Sequence, residues 1–207
     1  VTEAATDRTA IRVVPLTGAD IRAALDALAD LRIAVFRAFP YLYDGTRDYE
    51  RDYLIEFAAS DGAVLVAALD GDRIVGVSTA SPMAGQKPAF RQPFAEAGFD
   101  VDRLFYFGES VLLPGHRGLG IGHAFFDHRE ARARAAGATH ATFCAVVRAV
   151  DHPLRPEGYR PLDAFWGKRG YRPQPGLTTT FSWKDVDEAG ETAKTMQFWM
   201  RDLRSGD

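Results

Sequence analysis

Glu109-Ser110-Val111-Leu112-Leu113-Pro114-Gly115-His116-Arg117-Gly118-Leu119-Gly120-Ile121-Gly122 is the stretch on which the fold turns. An apolar strand runs into a turn with three alternate glycines, and the turn opens a helix. The first amides of a helix lack internal partners, and the peptide dipoles place partial positive charge there. Glycines let that backbone approach a bulky anion closely, which suits a pyrophosphate, and Arg117 adds a full charge at the rim. A ligand-free turn would need glycine alone; strand, arginine, alternate glycines and helix in register point to an anion. Two nucleotide loops fail on their defining residues. G-x-G-x-x-G requires glycine at its sixth position, where His123 or Phe125 stands, and a P-loop requires Lys and Ser or Thr where His123 and Ala124 stand.

Upstream, Ile11 to Val14 alternates as a short strand stopped by Pro15. Thr17 or Asp20 can cap a helix from about Ile21 to Phe36, with Ile21, Leu25, Leu28, Leu31 and Val35 on its apolar face. An aromatic loop at Pro40–Gly45 precedes a second helix, about Arg47 to Ala59. Ala63–Leu69 and Ile74–Ala80 form a hairpin across Asp70-Gly71-Asp72-Arg73. The prolines at 82, 88 and 93 mark residues 82–100 as an irregular insertion. A strand at Leu104–Leu113 leads to the glycines and a helix over about Gly120 to Ala136, then a strand at Ala141–Val147. After a proline-rich loop come a short helix at about Leu162 to Arg169 and strands at Leu177–Lys184 and Thr192–Leu203. The order predicts an α/β fold, one mixed sheet flanked by helices.

The chain has 207 residues, which predicts a single domain over 11–207 behind a flexible tail at 1–10. With 25 basic and 28 acidic residues the net charge is −3, so no basic surplus predicts nucleic-acid binding. Cys144 is the single cysteine, which excludes internal disulfides and fits a reducing compartment. No apolar run approaches the ~20 residues of a spanning helix, and Val1–Asp7 does not read as a leader, so the expectation is a cytoplasmic protein with no membrane partner. The five histidines show no ligand spacing, so no metal is expected.

Arg117, Gly120 and Gly122 match R-x-x-G-x-G, and the chain from about Ile11 to Leu203 resembles the GNAT acetyltransferase superfamily. Val111, Leu112 and Pro114 resemble the end of its fourth strand, and Ala164–Tyr171 resembles its late helix with a terminal aromatic after glycine. The run Phe107–Pro114 and the loop Asp151–Trp166 look like a bacterial subgroup of unassigned substrate. The resemblance implies acetyl-CoA as acyl donor, its pyrophosphate on the amides of Gly118, Leu119, Gly120, Ile121, Gly122 and His123. It implies a pantetheine arm along Val111, Leu112 and Leu113, beside Trp166, and direct attack on the thioester by an amine of a small molecule or a protein.

That chemistry needs a base for the amine, and Glu109 is the candidate on the fourth strand. The family's acid, a tyrosine four residues before the glycine, is replaced by Trp166, whose indole cannot protonate a thiolate. Tyr159 is the assigned substitute, with Tyr106 as another. Cys144 reads as core packing. Tyr41 and Tyr43, with His152 and Arg155, are the candidate substrate-binding residues, and Arg155 with Arg160 could hold a carboxylate. The alternative is a non-catalytic, coenzyme A-binding regulatory module, a reading that rests on Trp166. The last strand, with Phe198, Trp199 and Met200, is the candidate edge for a homodimer.

Overall fold

The computed structural model describes residues 11–204, so the expected tail at 1–10 lies outside the described residues, as do 205–207. The elements run β1 (Arg12–Leu16), α1 (Ala19–Phe36), α2 (Arg47–Ala58), β2 (Val64–Asp70), β3 (Arg73–Pro82), α3 (Pro88–Glu96), β4 (Leu104–Leu112), α4 (Ile121–Ala135), β5 (His140–Val146), α5 (Asp163–Lys168), β6 (Arg172–Trp183) and β7 (Thr192–Asp202). The strands form one seven-stranded sheet in the order β1-β2-β3-β4-β5-β7-β6. Every neighbouring pair is antiparallel except β4 and β5. No helix among the described residues is long and apolar enough to cross a membrane.

Strand alternation divides the core between the two faces of the sheet. Leu65, Ala67, Val77 and Val111 meet Ile21, Leu28 and Leu54 of α1 and α2. Val66, Val75, Phe105 and Phe107 meet Ile121, Phe125 and Phe126 of α4 on the other face. Each such aliphatic or aromatic side chain contributes roughly 1.5–3 kcal/mol when fully buried, so the two helical layers hold β4 from both sides.

Four expectations need correction. Residues 82–100 are not irregular: α3 spans Pro88–Glu96 and buries Phe90 and Phe94. Pro88 occupies the first turn, where no amide bond is lost. Pro93 sits inside the helix, and the carbonyl of Ala89 that its missing N–H would have used accepts from Thr179 Oγ1 at 2.7 Å. Pro15 does not stop β1 but pairs with Val66 inside it, as an edge strand permits. The N-cap of α1 is Gly18 with no side-chain bond, rather than Thr17 or Asp20. The last strand is not an edge; β7 lies between β5 and β6, and the edges are β1 and β6.

Two irregularities in β4 create the space for a site. In the β3–β4 register Ser78 faces Ser110 and Ala80 faces Phe107, so Gly108 and Glu109 share Thr79 as a β-bulge. The parallel β4–β5 pairing covers only Leu104–Tyr106 against His140–Thr142. Beyond it β4 follows β3 to Leu112 and β5 follows β7 to Val146, and the sheet splays open between them.

Candidate active site

The glycine turn is an open cradle. Gly118 and Gly120 have φ of 79° and 80°, a region costly for residues with a Cβ, and a Cβ built on either meets nothing within 4 Å. The amides of Gly118, Leu119, Gly120, Ile121 and Gly122 have no acceptor among the described residues. The His123 amide, by contrast, donates to the Gly120 carbonyl at 3.0 Å. Gly122 serves a different need: a Cβ there would stand 3.4 Å from Phe165 of α5. Unspent amides around open space at a helix N-terminus fit a pyrophosphate.

From this cradle a cleft of about 1040 Å³ runs through the splay between β4 and β5 to the aromatic loop and the 148–163 segment. Leu112, Arg117, Gly118, Gly120 and His123 line one end, and Phe39, Tyr41, Arg155 and Tyr159 the other. Between them lies Glu109, 7% exposed. Its amide donates to Thr79 Oγ1 at 3.2 Å, which fixes the bulge. Its Oε2 accepts from Arg32 Nη1 at 2.8 Å and from Tyr53 Oη at 3.4 Å, while its buried Oε1 has no partner. Arg32 also pairs through Nε with Glu50, which is fully buried. Burial works against the Arg32 charge, but Glu109, followed by Tyr53 and Glu50, more than offsets it and raises its pKa. Burial and Glu109 likewise raise the pKa of Tyr53.

The model of the GNAT acetyltransferase family matches residues 26–156, from α1 through the cradle to the loop after β5. The chain belongs to this family. No curated protein sequence matches the chain. Solved structures share the GNAT fold at low identity. The YncA protein of Salmonella typhimurium, solved with its cofactor acetyl-CoA, is 11% identical at a TM-score of 0.59, over 94% of this chain and 95% of that one. The ribosomal-protein-alanine N-acetyltransferase of Brucella melitensis is 13% identical at 0.58, over 92% and 99%. A GNAT-family acetyltransferase of Staphylococcus aureus is 12% identical at 0.55, over 94% and 99%.

Not every residue expected from sequence reaches this GNAT cleft. Val111 and Ile121 point into the two core layers and Leu113 packs against both, so these three can serve only through their backbones, while Leu119 is half exposed and does not line the cleft. Trp166 lines the cleft and packs on Phe143 and Trp199, with ring centroids at 4.9 and 5.2 Å. Tyr43 is bridged to Asp185 and packs against Tyr49, outside the lining. His152 stays behind Phe39, 5.7 Å between ring centroids. Tyr106 is buried outside the cleft, its hydroxyl 3.2 Å from Cys144 Sγ. Cys144 is not wholly in the core: it lines the cleft, and burial pushes its thiol up to about 12, which leaves it protonated at neutral pH.

Sequence reasoning missed Arg32 and Glu50, which hold Glu109, and also Arg129 and Arg148. The signal was present as charge on apolar stripes. Arg32 follows Leu28 by four, Glu50 precedes Leu54 by four, and Arg129 follows Phe125 by four. Arg148 clamps the aromatic loop, with two bonds to Asp185 at 2.7 and 3.0 Å and one each to the carbonyls of Pro40 and Tyr41, both at 2.7 Å.

Proposed function

We propose that this GNAT chain transfers an acetyl group from acetyl-CoA directly to a primary amine of a small molecule or a protein. The observation that carries this reading is the open glycine cradle, continuous with a cleft whose middle holds a carboxylate with one unspent oxygen. Acetyl-CoA, when bound, supplies the activated acyl carbon; the chain's own residues do the rest. The amides of Gly118–Gly122 and Arg117 hold the pyrophosphate, and the unpaired edge of β4 past Tyr106 receives the pantetheine amides as an added strand would.

Glu109 Oε1 takes the proton that the amine must lose, while Arg32 and Tyr53 hold Oε2 and so aim the free oxygen. Trp166 offers no acid; its indole walls the cleft. Tyr159, whose phenol burial keeps protonated at neutral pH, is the donor assigned to the departing sulfur. A thiol of ordinary pKa is a tolerable leaving group, so this donor matters less than the base. Tyr41 and Arg155 line the acceptor end.

Thiol release from acetyl-CoA with a panel of amines tests the reading, comparing wild type with Glu109→Gln. Amine-dependent release that falls in the variant supports it. Tight coenzyme A binding with no release under any amine favours instead the binding module to which Trp166 points. Gly120→Asp puts a strained residue and a negative charge in the cradle and is expected to abolish coenzyme A binding with the fold intact. Unchanged affinity by calorimetry would move the donor site elsewhere.

A further inference from the structure

One fully buried arginine of the cleft has no ion-pair partner among the described residues and no role in the reading above. Ile121, Phe125 and Arg129 recur every four residues along α4, which puts Arg129 on the buried stripe of the helix, 1% exposed. Arg32 and Arg148 are partly buried in ion pairs with carboxylates; Arg129 has no carboxylate at ion-pair distance among the described residues, and Glu130 and Glu109 act on it only from farther away. Its Nε donates to the carbonyl of Phe125 at 3.1 Å and its Nη1 to that of Thr79 at 3.4 Å, while Nη2 has no partner. The guanidinium lies 4.5 Å from the ring centroid of Phe107 and 4.6 Å from that of Phe126. Burial draws its pKa down to about 10, so it is still charged at neutral pH.

Such a placement is costly. A buried ion forfeits several kcal/mol of hydration, which two aromatic faces at about 2 kcal/mol each offset only in part. A leucine or methionine would fill this stripe at no such cost. Arg129 lines the cleft beside Gly108, Phe125 and Phe126. The bulge gives it a counterpart. Phe107 points to the α4 face with Arg129, whereas Glu109, two residues later, meets Arg32 and Tyr53 on the face of α1 and α2. The splay therefore separates an unspent anion on one face from an unspent cation on the other.

We propose that Arg129 is a catalytic residue that donates from Nη2 to the carbonyl oxygen of the bound thioester, polarising it and holding the negative charge that gathers there. The assignment rests on the reading of the cleft as an acetyl-CoA site. The amine lone pair forms the C–N bond while the carbonyl π pair moves onto the oxygen beside Arg129. Return of that pair breaks the C–S bond, and the sulfur departs with its electrons. The amine proton passes to Glu109, and the sulfur takes a proton from the Tyr159 hydroxyl to leave as a thiol. A single carbonyl oxygen needs only one donor, which Nη2, the guanidinium nitrogen with no partner, supplies. A fixed cation in a dry site stabilises developing charge far more than it would in water.

The test reads the carbonyl directly and needs no amine. Isotope-edited infrared difference spectra of [1-13C]acetyl-CoA on the wild-type chain should show the thioester stretch at lower frequency than in free acetyl-CoA. In Arg129→Met that shift should vanish with coenzyme A affinity within about threefold, and Arg129→Lys should give a smaller shift than wild type. With an amine that the wild type accepts, Arg129→Met should lose about a hundredfold in kcat, the usual cost of one such donor, with KM for acetyl-CoA little changed. A wild-type stretch equal to that of the free thioester, with the donor demonstrably bound, overturns the proposal, and that measurement stands even where a variant fails to fold. A shift that survives in Arg129→Met, or a loss of rate confined to a dicarboxylic donor such as succinyl-CoA, also overturns it. If acetyl-CoA does not bind the wild type at all, the reading of the cleft fails, and this assignment fails with it.

Discussion

Glu109 and Glu130 are both buried carboxylates held by arginines, and they differ in what is left over. Glu130, 3% exposed, spends both oxygens: Oε1 accepts from Tyr171 Oη at 3.1 Å, and Oε2 accepts from Arg169 at 3.1 Å and Arg201 at 2.9 Å. Glu109 spends only Oε2, and its other oxygen remains unpartnered in a residue that lines the cleft. A saturated buried carboxylate ties elements together, here α4 to α5 and β7. A half-saturated one carries a desolvation cost that packing does not explain. The count of unspent atoms, rather than burial or charge, separates the two.

Exchanging each carboxylate for its amide should pull the two regions apart. Glu109→Gln keeps the shape and leaves Arg32 paired with Glu50, so turnover in the thiol-release assay should fall roughly 10²- to 10⁴-fold with little change in stability. Glu130→Gln should do the reverse. It takes the shared charge from Arg169, which keeps Asp127 at 2.7 Å, and from Arg201, and should cost about 2 kcal/mol in denaturant unfolding, while the folded fraction turns over at the wild-type rate. Equal losses of stability in both variants, with turnover intact in both, would break the comparison.

Asp185 sharpens it at a smaller scale. This carboxylate is saturated too, by Arg148 and Lys194, yet Arg148 uses its remaining donors to hold the carbonyls of Pro40 and Tyr41. Asp185→Asn should loosen the acceptor loop while leaving the cradle alone. The expected result is a rise of about tenfold in KM for the amine, on the order of 1.4 kcal/mol, with coenzyme A affinity unchanged. A change in coenzyme A affinity instead would place the effect of Asp185 at the donor end.

The cradle was legible in the sequence because its requirement is local. Gly118 and Gly120 adopt left-handed backbone that glycine supplies, and the helix that follows provides the unspent amides. Glu109 was legible as charge on a central strand. Its partners were not, since Arg32 lies 77 residues away and Glu50 reaches Glu109 only through Arg32. Helix α3 was hidden because three prolines weigh against a helix locally, while Phe90 and Phe94 are rewarded only once Tyr106 and Phe198 are beside them, at centroid distances of 4.6 and 4.7 Å. The position of β7 was misread for the same kind of reason: an apolar strand reads alike at an edge and between neighbours until the order of the sheet is known. Tyr43 looked like a wall of the pocket by its place in an aromatic loop, but its backbone pairs with Asp185 and turns it elsewhere.

The smallest expected effect concerns a carboxylate that is saturated but open to solvent, and it separates saturation from burial. Glu188 accepts from Lys194 Nζ at 2.8 Å, from Thr192 Oγ1 at 2.8 Å and from the Asp185 amide at 3.2 Å. These bonds, led by that from Lys194, bring its pKa from 4.5 down to about 2. A carboxylate held below its unfolded value stabilises the fold at every pH above that value and loses the contribution as pH falls through the folded one. The window here runs from about 4.5 to about 2. Unfolding of wild type and Glu188→Gln, followed in denaturant across that range, should show a constant small difference above pH 5 that shrinks through the window and has lost most of its size by pH 2. Because water screens the pair, the difference at neutral pH should be well below that for Glu130→Gln. A difference as large as that of Glu130→Gln, or one that does not shrink between pH 5 and pH 2, would mean that Glu188 acts through packing rather than charge, and saturation alone would no longer rank these carboxylates.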